Sequence, residues 1–370
     1  MTPIRLLFVL TQPARGGVEE VVLALLRRLD PGDFRLAMAA PRSLLDAFGA
    51  DLDDVRVDVE AVAAESPRHQ REIGRLSRFM GRLAPDVVNA HLFRSTAIAA
   101  PLARWHGARV VETYHGREGW RQGPLRFLPD RLVGRLLDRV IAVSEAARAF
   151  LIDAKGYRPD RITVVPNGRD LSVFTPGRAR EAVRKELGLD RTVPLVGVVG
   201  RLEPQKGHAY LLDAWPLLVR EFPDARLLLV GDGSLRDALE AQARARGIAG
   251  TVLFAGFRAD VPRLLDAIDV VCLPSLYEGM PLTAIEAAAM GRPVVATAVD
   301  GTPEVVREGH TGRLVPPADP PALARALGAL LRDPDGARRM GQAGRDWALA
   351  RFDLDRQVEA TARVYRSVAR

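Results

Sequence analysis

CLPSLYEGMPLTAIEAAAMG, residues 272–291, is the stretch on which the reading of the chain turns. The apolar run 268–273 that leads into it has the length and composition of a strand buried on both faces of a parallel sheet. A polar turn follows, and the spacing predicts a helix opening at Pro281, since proline suits a first helical position where no backbone donor is needed. Apolar residues lie on nearly every side of that helix and Gly291 ends it, so it is expected to be buried. Its open end, around Gly279, Met280, Pro281 and Leu282, then points into a crevice at the carboxyl edge of the sheet, where such folds bind phosphates. Glu278 and Glu286 bracket this anion site. A carboxylate beside a phosphate is unfavourable unless it has another partner, such as sugar hydroxyls or a developing cation. The plainer reading makes Glu278 a helix cap and Glu286 a solvated side chain, but Ala284, Ile285, Ala287, Ala288 and Ala289 are a poor setting for a solvated face.

Glu278-Gly-Met-Pro-Leu followed by Glu286, embedded in SLYEGMPLTAIEAAAMGRPVVAT, resembles the E-x7-E signature of retaining glycosyltransferases of family 4 type. That resemblance implies an α/β protein with the GT-B fold, two Rossmann-like domains whose parallel sheets face each other across a cleft.

Composition agrees with a two-domain globular protein. A chain of 370 residues is long for one core and comfortable for two. The sole cysteine, Cys272, lies in the apolar strand and reads as a buried thiol. At the amino terminus the apolar run 6–10 is too short for a signal peptide or a membrane span, so the expected location is cytoplasmic. The net charge of +7 favours anionic partners without choosing among nucleotide, lipid surface or nucleic acid. Lysine occurs only at Lys155, Lys185 and Lys206, a bias toward arginine that spreads over the whole chain.

Strand and helix patterns alternate along the sequence. Strands are expected at 4–10, 34–40, 55–59, 86–91, 109–114, 139–143 and 162–165. The helices between them fall at 18–29, 69–83, 95–105, 125–137 and 145–155. Such alternation means right-handed crossovers and a parallel sheet. Pro166-Asn-Gly168 and Phe174-Thr-Pro-Gly177 interrupt the pattern and place a linker before a helix at 178–187. The cycle restarts with strands at 193–200, 225–230, 252–255, 268–273, 293–297 and 313–315. Helices at 208–221, 234–246 and 261–267 join the earlier ones, and helices at 321–331, 337–350 and 354–368 finish the chain. The expected domains are residues 1–170 on the acceptor side and 171–351 on the nucleotide-sugar side. The resemblance implies that the last helix, within 352–370, packs back on the first.

The remaining chemistry clusters at strand ends. In GRLEPQKGH, residues 200–208, Arg201 and Lys206 flank a turn leading into a helix, where both charges can meet a diphosphate. The order of a P-loop is absent. A lysine here, in a chain that otherwise prefers arginine, suggests a need for a compact ammonium. Gly16 and Gly17, at a strand-to-helix turn, let the backbone approach a ligand closely. Gly231-Asp-Gly233 is a tight turn that lacks the third glycine of a dinucleotide fingerprint, which speaks against a nicotinamide enzyme. His91 and His115 terminate strands and are available near neutral pH, whereas His69, His106, His208 and His310 read as structural. D-x-D spellings at 51–53 and 353–355 follow no suitable strand, so no metal site is expected.

The resemblance assigns roles to these residues. Arg201 and Lys206 hold the leaving nucleotide diphosphate, and the Gly16-Gly17-x-Glu loop covers donor and acceptor. Gly231 lies near the nucleotide, Phe257 and Arg258 meet the base, and Glu286 hydrogen-bonds the donor ribose. Glu278 and His115, the latter within a T-x-H-G segment, contact the transferred sugar. Asn89 stands where the family often has the first histidine of H-x-H. No cofactor is implied beyond the nucleotide-diphosphate sugar, UDP- or GDP-linked, which serves as donor; the acceptor is a glycan, lipid or small metabolite. Arg71, Arg75, Arg78 and Arg82, together with the basic segment 121–139, offer a surface for anionic lipid, as in some relatives. The competing readings are a GT-B epimerase or hydrolase of nucleotide sugars and, from another class, a basic nucleic-acid-binding protein. The latter lacks any recognition motif.

Overall fold

The structure is a computed structural model that describes residues 2–63, 69–117 and 127–369. The chain divides into two compact units, Met1–Gly168 with Leu354–Arg370, and Arg169–Asp353.

The first unit holds a seven-stranded parallel sheet ordered β3-β2-β1-β4-β5-β6-β7. Its strands are β1 (Ile4–Val9), β2 (Phe34–Ala40), β3 (Val57–Ala61), β4 (Val87–His91), β5 (Arg109–Tyr114), β6 (Arg139–Ala142) and β7 (Ile162–Val164). Leu7, Val9, Val88, Ala90, Val110 and Val140 pack beneath Leu76, Phe79, Met80, Ile98 and Leu151, so each central strand is covered by helices as its apolar run requires. Helix Leu354–Ala369 belongs to this unit. Its Tyr365 hydroxyl donates to Asn89 Oδ1 at 2.9 Å, and Asn89 Nδ2 donates to Thr113 Oγ1 at 3.0 Å. Asn89 is fully buried. The asparagine that departs from H-x-H therefore ties the last helix to β4 and β5.

The second unit holds a six-stranded parallel sheet ordered β10-β9-β8-β11-β12-β13. Its strands are β8 (Leu195–Val199), β9 (Arg226–Val230), β10 (Val252–Gly256), β11 (Val270–Leu273), β12 (Val294–Thr297) and β13 (Gly312–Val315). Trp215, Leu212, Leu218, Leu323 and Leu327 pack on Val196, Leu227, Leu229 and Cys272 to make its core. Burial pushes the Cys272 thiol well above its ordinary range, as expected of an inert structural cysteine.

The structure differs from the sequence reading at several edges. The third strand lies two residues later than expected, and helix Arg42–Phe48 fills a stretch with no predicted element. The fourth helix starts at Leu92, directly after β4, with Leu92 itself at φ +67°. No loop residue separates strand from helix, so the reversal is made at a single left-handed leucine. The helix expected at 125–137 spans Leu128–Gly134, and residues 121–126 of the basic segment lie outside the described residues. Of the arginines on helix Gln70–Leu83, Arg75 and Arg82 both pair with Glu60 of β3, at 2.5 and 3.0 Å. Ser144 caps helix Glu145–Asp153 by accepting from the Ala147 amide, as the Val-Ser-Glu sequence suggests. Among the described residues no helix is long and apolar enough to cross a membrane.

Candidate active site

At the carboxyl ends of β8 and β11, two loops are laced together. The Leu276 amide donates to Gln205 O at 2.8 Å, and Gln205 Nε2 donates to Tyr277 O at 3.0 Å. Gly207 sits at φ +66°, and a Cβ added there would lie 2.0 Å from Pro274 O. Only glycine permits that approach of one loop to the other. Gly231 serves the same purpose one strand over: at φ +138°, its added Cβ would meet Gly200 O at 2.0 Å. The glycine expected near a nucleotide is thus required by backbone packing against the turn that carries Arg201.

This lacing brings Lys206 to Glu278. Lys206 Nζ lies 2.6 Å from Glu278 Oε1, and the Ser275 hydroxyl donates to the same oxygen at 2.7 Å. The Glu278 side chain is 7% exposed. Its amide donates to Asp300 Oδ2 at 3.0 Å, and Asp300 holds the strained φ of +42°. Left-handed non-glycine residues concentrate at functional sites, where the surroundings over-determine them. Arg201 is exposed, and its charge acts on Tyr277 and Glu203 of the same neighbourhood. The Glu203 carboxyl is held below its usual range, first by the hydrogen bond from the Ser234 amide.

Helix Leu282–Ala289 begins one residue later than expected. Pro281 is its N-cap, with ψ of 113°, and Leu282 is the first helical residue. The Pro281 carbonyl accepts from Ala284 and Ile285, so Leu282 and Thr283 carry the amides that have no intrahelical acceptor. Thr283 Oγ1 donates to Val199 O at 3.2 Å, which fixes the helix mouth against the end of β8. Gly279 and Met280 already have partners within the chain. Glu286 is buried, and Arg169 meets it at 2.7 Å. Arg169 itself is anchored through its amide to Phe352 O at 2.9 Å. Sequence reading passed over Arg169 because it follows the Pro-Asn-Gly break and looks like linker.

The residues expected to meet the base are less gathered. Phe257 is 79% exposed. The Arg258 guanidinium is committed to Asp260 at 2.7 Å and Glu186 at 2.8 Å, which raise its pKa further. A cavity of about 350 Å³ lies between β13 and helix Pro320–Arg332, lined by Arg313, Pro316 and Arg325 among others. None of the expected site residues lines it.

Gly16, Gly17 and His115 belong to the first unit. Gly16 caps helix Gly17–Arg28 in extended conformation. His115, just after β5, lies 2.8 Å from His91 Nδ1 through its Nε2. Burial lowers the His115 pKa to about 3, and burial with the neighbouring ring lowers that of His91 well below its ordinary value. His208, at the start of helix His208–Glu221, is buried, and burial followed by the Lys206 charge lowers it to about 4.

Two family models match the chain. "Glycosyl transferases group 1" covers residues 179–347, and "Glycosyltransferase Family 4" covers residues 15–173. The chain belongs to the group 1, family 4 type glycosyltransferases. This glycosyltransferase is 36% identical, over 74% of its length and 75% of the relative's, to GDP-mannose-dependent alpha-(1-6)-phosphatidylinositol monomannoside mannosyltransferase of Mycolicibacterium smegmatis. It is 33% identical, over 77% of its length and 72% of the relative's, to D-inositol 3-phosphate glycosyltransferase of Corynebacterium urealyticum. Among solved structures, Anabaena HepE in complex with UDP-glucose aligns with a TM-score of 0.85 at 24% identity, covering 98% of the glycosyltransferase and 100% of that chain. Sucrose-phosphate synthase from Thermosynechococcus elongatus aligns with a TM-score of 0.84 at 24% identity, covering 99% of each. The glycosyltransferase thus has the GT-B fold.

Proposed function

We propose that this glycosyltransferase moves a hexose from a UDP- or GDP-linked sugar to an acceptor hydroxyl, with retention at the anomeric carbon and without a metal ion or further cofactor. The pairing of Lys206 with Glu278 beside the mouth of helix Leu282–Ala289 carries the reading. An ammonium and open helix amides suit a diphosphate, while a buried carboxylate one bond away suits the hydroxyls of the attached sugar.

Lys206 exchanges Glu278 for the diphosphate, and Arg201 adds the second charge. Released from Lys206, Glu278 accepts from a sugar hydroxyl and stabilises the cationic transition state. Glu286, oriented by Arg169, takes the ribose hydroxyls, and Phe257 offers an exposed face to the base. Gly16 and Gly17 close over the phosphates, and His115 hydrogen-bonds the transferred sugar. The bond between the anomeric carbon and the phosphate oxygen breaks as the acceptor oxygen bonds to the same face of that carbon. The acceptor proton passes to the departing diphosphate.

The names of the mannosyl and inositol-phosphate relatives support a polyol phosphate or its lipid as acceptor. A thermal-shift panel of UDP-, GDP- and ADP-sugars, followed by product analysis with inositol phosphate or its lipid, tests the reading. Stabilisation by one donor and a product of retained configuration are expected. No shift with any donor would overturn it. Turnover that needs no acceptor would favour the hydrolase or epimerase alternative.

A further inference from the structure

We infer that His91 is a positioning residue for His115, fixing the proton of His115 on Nδ1. The inference rests on the role proposed above for His115 at the transferred sugar, but the bond between the two histidines is a property of the first unit alone.

His91 closes β4 and is fully buried. Its Nδ1 lies 2.8 Å from His115 Nε2, the rings are inclined by 22°, and their centroids are 5.1 Å apart. The ring also neighbours Phe8, at 6.0 Å between centroids and tilted by 37°. His91 Nε2 is buried without a hydrogen-bond partner among the described residues. The residue that follows, Leu92, is left-handed at φ +67°. Strain of that kind persists only where the surroundings hold it in place, and here it sits at the step that delivers the His91 ring to His115.

A hydrogen bond between two neutral imidazoles carries one proton, which leaves two arrangements. If His115 donated, the single proton of His91 would sit on Nε2 as a buried N–H without an acceptor. If His91 donates from Nδ1, its Nε2 is left as a buried lone pair. Orphaned buried N–H groups are the rarer and costlier of the two. His91 therefore donates, His115 Nε2 accepts, and the proton of His115 is forced onto Nδ1. His115 then offers the substrate an N–H donor at a defined position, suited to a sugar oxygen. Burial keeps both rings neutral near pH 7, so the arrangement holds in the working range.

Long-range proton–nitrogen correlation of the imidazoles in the folded, full-length protein reads the tautomer directly, with no substrate present. Wild type should show His115 protonated on Nδ1 with Nε2 unprotonated. His91→Leu should move the proton to Nε2 or leave a mixture. His91→Asn places an amide where Nδ1 sits and should restore the wild-type pattern. With donor and acceptor supplied, His91→Leu should lower kcat by about 10- to 100-fold with donor KM little changed, a loss typical of removing a group that orients a working histidine. His91→Asn should recover most of that loss, which a merely structural role would not give. His115 protonated on Nε2 in wild type, or a tautomer unchanged in His91→Leu, overturns the inference. If the tautomer shifts while kcat does not, the assignment of the proton stands and the role of His115 in transfer falls.

Discussion

Lys206 and Glu278 are 72 residues apart in sequence and 2.6 Å apart in space. Each was recognisable alone, Lys206 as a lysine in an arginine-rich chain and Glu278 as an acid before a buried helix. Lys155, another of the three lysines, also forms a buried ion pair, with Asp130 at 2.7 Å. Two of the three lysines thus close short ion pairs while Lys185 is exposed, so the choice of lysine over arginine was a partial signal. Their partners were not legible, since nothing local in a sequence says which distant carboxylate closes on which cation. Arg169 was hidden by its place in an apparent linker, and Asp300 because its partner is the backbone amide of Glu278, 22 residues away. Glu278→Gln keeps the shape and the Ser275 contact but removes the charge that a cationic transition state needs. We expect kcat to fall by about 10²- to 10³-fold, the range for losing one preorganised electrostatic group, with donor affinity within a few-fold. Single-turnover rates beside calorimetric binding would check this, and unchanged turnover would remove Glu278 from the chemistry. Arg169→Leu should act differently, leaving Glu286 as a buried acid short of its cation. Loss of about 2 kcal/mol or more is expected, read as a lower denaturation midpoint, together with weakened donor binding.

At the scale of elements, the alternation of apolar strands with amphipathic helices made both parallel sheets legible, because strands covered on both faces must be apolar throughout. Boundaries were less legible where tertiary contacts set them. Pro281 was expected inside its helix, yet its carbonyl serves as the cap acceptor for Ala284 and Ile285. The loops were the least legible, since a glycine in a turn does not announce whether ligand or backbone needs the space. Gly207 and Gly231 were both answered by backbone. Gly207→Ala should therefore do more than stiffen the chain. Its methyl would overlap Pro274 O at an unfavourable φ, pushing the Lys206 loop away from the Glu278 loop. We expect destabilisation of about 2 kcal/mol or more, combining strain with overpacking, and a matching loss of donor binding. Paired urea titration and donor-binding curves would check it; a variant with wild-type stability would show that the lacing of the loops is not what sets the site.

For the whole molecule, the histidines connect stability to acidity. His115 and His208 have folded-state pKa values near 3 and 4, below the ordinary 6.5, because burial penalises the imidazolium, and His91 is shifted in the same direction. Between those values and 6.5 the unfolded chain binds protons that the folded chain does not. Stability therefore rises with pH across this window. The contribution is fully present above about pH 6.5 and is lost progressively as pH falls toward the folded values, by about 1.4 kcal/mol per pH unit for each histidine that stays neutral. Two of the three lie in the first unit and His208 in the second, so acid should weaken the first unit sooner. Melting followed from pH 7.5 to 4.5 should show a falling transition temperature, with the first unit's transition moving further. His208→Phe should flatten the slope of the second unit's transition alone. A transition temperature that holds steady down to pH 4.5 would mean that the buried imidazoles accept protons in the folded state, and with that the neutral pairing of His91 with His115 would lose its basis.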